Sequence, residues 1–346
     1  MTETYRLQQD LNRVFVELEA DWRDLKGARL FVTGGTGFIG RWMLEALCDA
    51  NRRLGLGIEV VVLSRDPDRF RRVAPHLFVD GAVSLVVGNI ETIVPADTGF
   101  SHVIHGATDA SADLNERDPR RMFSTIVNGT QRMLDFTRAS KAERMLFMSS
   151  GAVYGQQPWD LPHVAESWRG GPDPRDPRAA YAEGKRAAEM LCAIYGKQFG
   201  LDVLTTRIFA LLGPLLSLDI HFAAGNFIRD ALAGRPIRVE GSGEAVRSYL
   251  YAADLAVWMW KALIRAPRGA TYNVGSEDAI SIADLARTVS ETLGGGVVEV
   301  LGRPDPGWNP GRYVPSTQKI QSSLGVRAQT GLVDAIRRTA LSHGGQ

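Results

Sequence analysis

The sequence predicts an α/β protein: a doubly wound, mostly parallel sheet followed by a smaller mixed α/β region. Three observations carry that expectation. Short, almost wholly apolar runs alternate with amphipathic segments over most of the chain, the pattern of strands covered by helices on both faces. A glycine-rich turn, Thr33 to Gly40, joins the first such run to the helix after it. Beyond about Leu212 the strict alternation fades into shorter strands mixed with helices. The 346 residues are enough for one large domain with a smaller one attached. The expected division is an N-terminal helix over 1–27, the sheet domain over 28–211 and a substrate region over 212–346, with a strand and helix of the last returning to the first domain.

Leu7, Leu11, Val14, Leu18, Trp22 and Leu25 recur at spacings of three and four. They predict an amphipathic helix that packs on its own domain or on a partner subunit. ARLFVTGG then reads as a buried strand, RWMLEALCDANRRLG as a helix and EVVVLSRD as the second strand. VSLVVGNI and SHVIHGAT are two more strands, RMFSTIVNGTQRMLDFTRAS a long helix and RMLFMSS a further strand. GQQPWDLPHVAESWRGGPDPRDPRAA is crowded with Pro, Gly and Asp, so it is a loop, and its length marks it as functional or mobile. YAEGKRAAEMLCAIYGKQFG is a helix and LDVLTTRIF the next strand. In the last third PIRVEG, SYLYA, TYNVG and VVEVL read as short strands, and FIRDALAG, DLAVWMWKALI and SIADLARTV as helices.

Forty basic and 39 acidic residues leave a net charge of +1, which gives no electrostatic reason to expect nucleic acid or a lipid surface as partner. No apolar stretch reaches the roughly 20 residues of a membrane span. The N-terminus lacks the apolar run of a secretory signal, so a cytoplasmic protein is expected. Cys48 and Cys192 lie far apart and form no CxxC. The histidines show no ligand spacing, so no metal is expected.

Gly34, Gly37 and Gly40 are spaced G-x-x-G-x-x-G, with Gly35 beside the first. Glycine suits a sharp turn, a close approach of backbone to a pyrophosphate, and the packing of helix on strand. The helix starting near Phe38 points its free N–H groups and positive end at phosphates. Because this turn follows a strand and opens a helix, Gly34, Thr36, Gly37, Phe38, Ile39 and Gly40 are expected to hold a nicotinamide dinucleotide. An acidic residue at the end of the second strand would bind the ribose 2′-hydroxyl of NAD. Ser64 stands there instead, followed by Arg65, whose guanidinium suits a 2′-phosphate. NADP is therefore favoured over NAD, a preference that Asp66 would reverse by turning inward.

Tyr181 and Lys185 form Y-x-x-x-K and share a helix face. An ammonium beside a phenol lowers the phenol pKa, and a tyrosine so tuned moves a hydroxyl proton near neutral pH. The strand RMLFMSS ends in Ser149 and Ser150, at the sheet edge where such folds bind ligands. A cofactor turn paired with a tyrosine points to hydride chemistry.

TGGTGFIG has one more residue between its first two glycines than G-x-G-x-x-G. It resembles the extended short-chain dehydrogenase/reductase superfamily, in its branch of NAD(P)-dependent nucleotide-sugar epimerases and dehydratases, and the resemblance runs from about Ala28 to Ala340. It implies a Rossmann-type domain with a smaller C-terminal substrate domain, commonly a homodimer, and a nucleoside diphosphate sugar as substrate. It implies Tyr181, Lys185 and Ser150 as catalytic residues, Lys185 also holding the nicotinamide ribose. Ser149 is left as a substrate contact. Asn89, with Ile90, stands where such enzymes usually have an Asp near the adenine, and Ala107 and Thr108 match the loop lining the pyrophosphate. Asn128 matches a position supporting the active-site network, or is a buried structural amide. Asn226 matches an amide that contacts phosphate or sugar, Arg247 an arginine that binds the diphosphate, and Arg312 a second phosphate ligand. Ala210 and Leu212 depart from the usual Asn and Tyr, so substrate contacts there differ from those of the common hexose enzymes.

After Ser150 come Gly151 and Ala152. The family's 4,6-dehydratases typically carry Asp and Glu at these positions, and related decarboxylases typically carry Glu. Neither residue here titrates, which looks more like 4-epimerases and 4-ketoreductases. The expected function is a 4-epimerase working through a transient 4-keto sugar. The alternatives are an NADPH-dependent 4-ketoreductase, then a 4,6-dehydratase or decarboxylase, and, in a different class, a non-catalytic NADP-binding module.

Overall fold

The computed structural model describes residues 3–93, 99–108, 112–219, 223–294, 296–305, 307 and 309–344. A helix, α1 (Glu3–Trp22), precedes β1 (Arg29–Thr33). The alternation then runs α2 (Phe38–Leu54), β2 (Glu59–Ser64), α3 (Pro67–Val73), β3 (Val83–Val87), β4 (His102–His105), α4 (Ala112–Arg117), α5 (Pro119–Ala139), β5 (Arg144–Ser150), α6 (Ala180–Phe199) and β6 (Val203–Ile208). Next come β7 (Leu211–Leu212), α7 (Ala223–Leu232), β8 (Ile237–Val239), β9 (Val246–Arg247), β10 (Leu250–Tyr251), α8 (Ala252–Arg265) and β11 (Thr271–Val274). The chain ends with β12 (Ile280–Ser281), α9 (Ile282–Leu293), β13 (Val298–Val300), β14 (Arg312–Tyr313), α10 (Gln318–Leu324) and α11 (Leu332–Ser342).

Seven strands form one sheet in the order β3-β2-β1-β4-β5-β6-β11, and every pair is parallel. From β1 the chain winds outward through β2 to β3, then crosses back to β4 on the other side. The loops after β1 and β4 therefore leave in opposite directions and open a crevice at the carboxyl ends of the strands. β11, from the last third of the chain, completes the far edge by pairing Thr271–Val274 with Thr205–Ile208. A three-stranded sheet, β12-β9-β14, and the pairs β8-β13 and β7-β10 make up the smaller region.

Strand alternation divides the apolar side chains between two cores. Along β1, Leu30 and Val32 join the core beneath α1, α2 and α8, while Phe31 joins the core beneath α5 and α6. The first core holds Trp22, Trp42, Trp258 and Trp260, all fully buried, with the Trp22 and Trp260 rings 5.1 Å apart.

The N-terminal helix packs on its own chain, against α8, α2 and α11. Its apolar stripe is buried, and two carboxylates hold it in place. Asp10 accepts from the Tyr251 hydroxyl and from Arg338. Asp254, wholly buried, accepts from Arg13 and from the Thr330 N–H. A buried carboxylate is tolerable only when several donors converge on it. The long loop between β5 and α6 is likewise tied down rather than free. The Val164 N–H donates to Val314, Ser316 donates back to Val164, and the Gln157 side chain accepts from the Val314 N–H.

Replacing Arg13 with Ala strips Asp254 of its guanidinium partner. Urea unfolding should show a loss of about 2 kcal/mol, below the cost of breaking a fully buried pair because Arg13 is partly solvated. A change under about 0.5 kcal/mol, the range of an exposed pair, would contradict the anchoring role.

Candidate active site

The turn after β1 sits in the crevice. Gly34 has φ 78°, in the left-handed region, and a Cβ there would lie 2.5 Å from the Gly106 carbonyl carbon. This contact brings the loops after β1 and β4 backbone to backbone. Gly40 packs on the turn itself, where a Cβ would come within 2.6 Å of the Gly35 Cα. Gly37 differs, because the nearest atom to its Cβ position is 3.5 Å away, an ordinary contact. Gly37 is exposed and is the N-cap of α2, with no side chain capping the helix. The fold does not require glycine here, but a side chain would stand over the helix N-terminus. That bare cradle, with its free N–H groups and positive helix end, fits a dinucleotide diphosphate. Thr36, Phe38 and Ile39 complete the turn, Thr36 exposed and the other two half-buried.

Beneath the turn, Thr33 Oγ1 accepts from the Ala107 N–H at 3.2 Å and lies 2.8 Å from His105 Nδ1. His105 Nε2 is 3.1 Å from Thr130 Oγ1. Burial, helped by the Lys185 charge, pushes the imidazole pKa down to about 3, so His105 is a neutral link in this chain. At the end of β2, Ser64 is buried and its hydroxyl accepts from the Asp66 N–H. Asp66 caps α3 by accepting from the Arg69 N–H at 2.9 Å, and Arg65 is exposed. Asn89 is exposed with its side-chain oxygen accepting from the Glu91 N–H, whereas Ile90 is buried against Gly129.

α6 carries Tyr181 and Lys185 over the end of β5. Asn115 fixes the start of this helix, accepting from the Tyr181 N–H at 3.0 Å and donating to the Arg178 carbonyl at 2.7 Å. Lys185 is buried, and its ammonium donates to the Met148 carbonyl at 2.7 Å and to Thr108 Oγ1 at 2.9 Å. Burial lowers its pKa to about 7. The Tyr181 ring lies 6.0 Å from the Lys185 nitrogen. Burial raises the Tyr181 pKa, opposed by a hydrogen bond with Ser150. The expectation that Lys185 lowers this pKa is thus corrected: its ammonium is engaged by Met148 and Thr108, and Ser150 is the group that favours the phenolate.

Ser149 and Ser150 point to opposite faces of the strand. Ser150 reaches Tyr181 and also accepts from the Ala152 N–H at 3.2 Å. Ser149 donates to Glu189 at 2.6 Å instead, so the expected substrate contact does not fit its orientation. Glu189 is held by Arg207 at 2.6 Å, Arg207 donates to the Tyr154 hydroxyl, and Tyr154 donates to Asn273 Oδ1. Asn128 is exposed on α5, so it is not a buried structural amide.

On the opposite wall, β9 and β14 pair so that Arg247 lies beside Tyr313. Arg247 donates to the carbonyls of Val246 and Gly311, and burial lowers its pKa. Arg312, the next residue along β14 and so directed to the other face, lies over the Trp159 ring at 5.1 Å. The two arginines are therefore not joined in one cluster. Asn226 is half-buried on α7. Tyr313 packs its ring 4.5 Å from that of Phe209 and extends its hydroxyl over Gly151.

A sequence profile described as the NAD dependent epimerase/dehydratase family matches residues 30–275. The chain belongs to this family. It is 31% identical over 312 residues to UDP-glucuronic acid decarboxylase 1 of Xenopus tropicalis, covering 90% of this chain and 71% of that protein. Among solved structures, a Thermus thermophilus UDP-glucose 4-epimerase in complex with NAD is 28% identical, with a TM-score of 0.74 over 92% of this chain and 99% of its own. The dTDP-glucose 4,6-dehydratase DesIV of Streptomyces venezuelae, with NAD bound, is 25% identical, with a TM-score of 0.77 over 91% and 97% of the two chains. The protein is thus an enzyme of an NAD-dependent family whose members run more than one reaction on this scaffold. Among the described residues, no group of three or more His, Cys, Asp or Glu gathers as a metal site, and no helix is long and apolar enough to cross a membrane.

Replacing Gly37 with Ala should leave unfolding stability within about 1 kcal/mol, since its φ of −83° and surroundings accept a methyl group. Dinucleotide affinity, measured by calorimetry, should fall at least about tenfold. Unchanged affinity would contradict the diphosphate cradle.

Proposed function

We propose that the protein interconverts the C4 epimers of a nucleoside diphosphate sugar by removing hydrogen at C4 and returning it to the other face. The observation that carries this reading is the space after Ser150. A Cβ on Gly151 would lie 2.6 Å from the Phe209 ring and 2.7 Å from the Tyr313 oxygen, so no side chain fits there. Ala152 cannot titrate. Eliminating water requires a further acid and base placed at the sugar, and the family's dehydratases and decarboxylases typically carry carboxylates at these positions. Similarity to UDP-glucuronic acid decarboxylases is thus a likeness of scaffold that lacks the acidic side chain.

Gly34, Gly37 and Gly40 would hold the diphosphate of a nicotinamide dinucleotide, which would supply a reversible hydride acceptor for C4. Tyr181 accepts the C4 hydroxyl proton, and Ser150 hydrogen-bonds the same oxygen as it becomes a carbonyl. Lys185, titrating near neutral pH, adjusts its charge as the phenol gains or loses a proton. Arg247 holds the diphosphate, leaving the sugar free to turn about that tether before Tyr181 returns the proton. A 4-ketoreductase is the second reading, favoured by Arg65. Asp66 turns its carboxylate to the Arg69 N–H, and the exposed Arg65 guanidinium at the end of β2 has the charge and fork of donors that suit a ribose 2′-phosphate, which fits NADP. NAD is the alternative, and it is the dinucleotide in both solved relatives described above.

The test is mass analysis of products from a panel of nucleotide sugars and their 4-keto forms, each with NAD and with NADP. An isomer of unchanged mass is expected; a gain of two hydrogens with oxidised cofactor would select the reductase, and loss of water or carbon dioxide would refute both. Replacing Tyr181 with Phe should lower turnover at least about a hundredfold while the dinucleotide still binds.

A further inference from the structure

Tyr181 is the second residue of α6, which begins at Ala180. The first four N–H groups of a helix have no carbonyl within it to bond, so this turn frays unless something outside holds it. The residue before the helix, Ala179, offers no side-chain cap. Lys185, one turn further in, is gripped by Met148 and Thr108, which fixes the helix there but leaves its first turn uncapped. The group read as the proton acceptor therefore stands at the end of its helix that most needs outside support.

Asn115 supplies that support from a different helix. Its Oδ1 accepts from the Tyr181 N–H at 3.0 Å, the bond an N-cap side chain would make. Its Nδ2 donates to the Arg178 carbonyl at 2.7 Å, so the same amide also fixes the turn leading into α6. One donor and one acceptor as partners leave a single orientation for the amide. Arg178 is held from its other side too, because Asp176 accepts from its N–H at 3.0 Å. Asn115 is half-buried on α4, and Thr108 belongs to the same connection between β4 and α5. One connection thus holds Lys185 by its side chain and Tyr181 by its backbone. We propose that Asn115 is a positioning residue for the reaction. By capping α6 from α4 it keeps the Tyr181 phenol at the distance from the substrate hydroxyl that proton transfer needs. The requirement is strict, since a displacement of about 1 Å can cost about a hundredfold in rate. Asn115 acts through the Tyr181 backbone and takes no part in the proton transfer itself.

The inference rests on Tyr181 as the proton acceptor, and one arm of its test needs no substrate. Asn115→Ala removes both bonds. With NAD present, it should speed hydrogen exchange at the Tyr181 amide at least about tenfold, while amides in the middle of α6 keep their rates. Asn115→Asp retains the acceptor and should keep that amide protected. The second arm uses whichever nucleotide sugar the product panel shows to be converted. There Asn115→Ala should lower kcat at least about tenfold with KM and dinucleotide affinity within about threefold, the split expected when only the transition state is affected. Asn115→Asp should turn over faster than Asn115→Ala. A cap that served stability alone would lower the unfolding midpoint and leave kcat unchanged. That result, or unchanged exchange at the Tyr181 amide in Asn115→Ala, would overturn the proposal. Failure of the Tyr181 or epimerase reading shows separately, in the Tyr181→Phe variant and the product panel, and leaves the exchange arm intact.

Discussion

The buried ammonium of Lys185 joins three separate segments at one point. It is carried by α6 and bonds the carboxyl end of β5 through Met148 and the loop after β4 through Thr108. A cation is costly in such a place, which is why its pKa falls to about 7. That cost is offset because the same bonds fix Tyr181 one helical turn earlier, above Ser150 and beside the cofactor turn. The crevice itself depends on the neighbouring Gly34–Gly106 approach, where two loops meet with no side chain between them. The glycine turn proposed as the dinucleotide cradle and the tyrosine proposed to transfer the proton are thus positioned by backbone contacts at the carboxyl ends of β1, β4 and β5.

The opposite face of β5 explains how the substrate side is kept in register. Ser149, Glu189, Arg207, Tyr154 and Asn273 form a continuous chain of hydrogen bonds from β5 to β11 at the far edge of the sheet. Asn273 also donates to the carbonyls of Val164 and Ser316, so the long loop and the segment after β14 share one polar support. Satisfied buried networks of this kind hold a single arrangement, since breaking any link strands its neighbours. Adjacent serines therefore divide the work: Ser149 secures the wall through Glu189, and Ser150, on the other face, is left to the proposed proton transfer.

What could be read from the residues alone follows how local each constraint is. The glycine turn, the strand–helix alternation and the Tyr181–Lys185 spacing are set within a few residues, so the sheet and the crevice at its carboxyl ends were legible in advance. The alternative of Asn128 as a buried amide fails on helix phase: Met122, Ile126 and Met133 mark the buried stripe of α5, and Asn128 falls outside it. The effect of Lys185 on Tyr181 was misjudged because spacing says that two groups share a face, not which partners engage them. Tyr313 left no periodic signal, since β14 is only two residues long. Its one trace in the sequence was Gly151, a residue that leaves space for something else to fill. The ion pairs anchoring α1 were hidden too, because their partners lie in α8 and the C-terminal segment.

Hydrogen exchange at C4, performed by Tyr181 and Ser150 without a carboxyl partner, is the central claim. It is tested most directly by supplying a nucleotide sugar that carries deuterium at C4 and following the label by mass and magnetic resonance. The account predicts a C4 epimer of unchanged mass with the deuterium still on C4, now on the opposite face. Release of carbon dioxide or water, or a C4 hydrogen drawn from solvent, would contradict it.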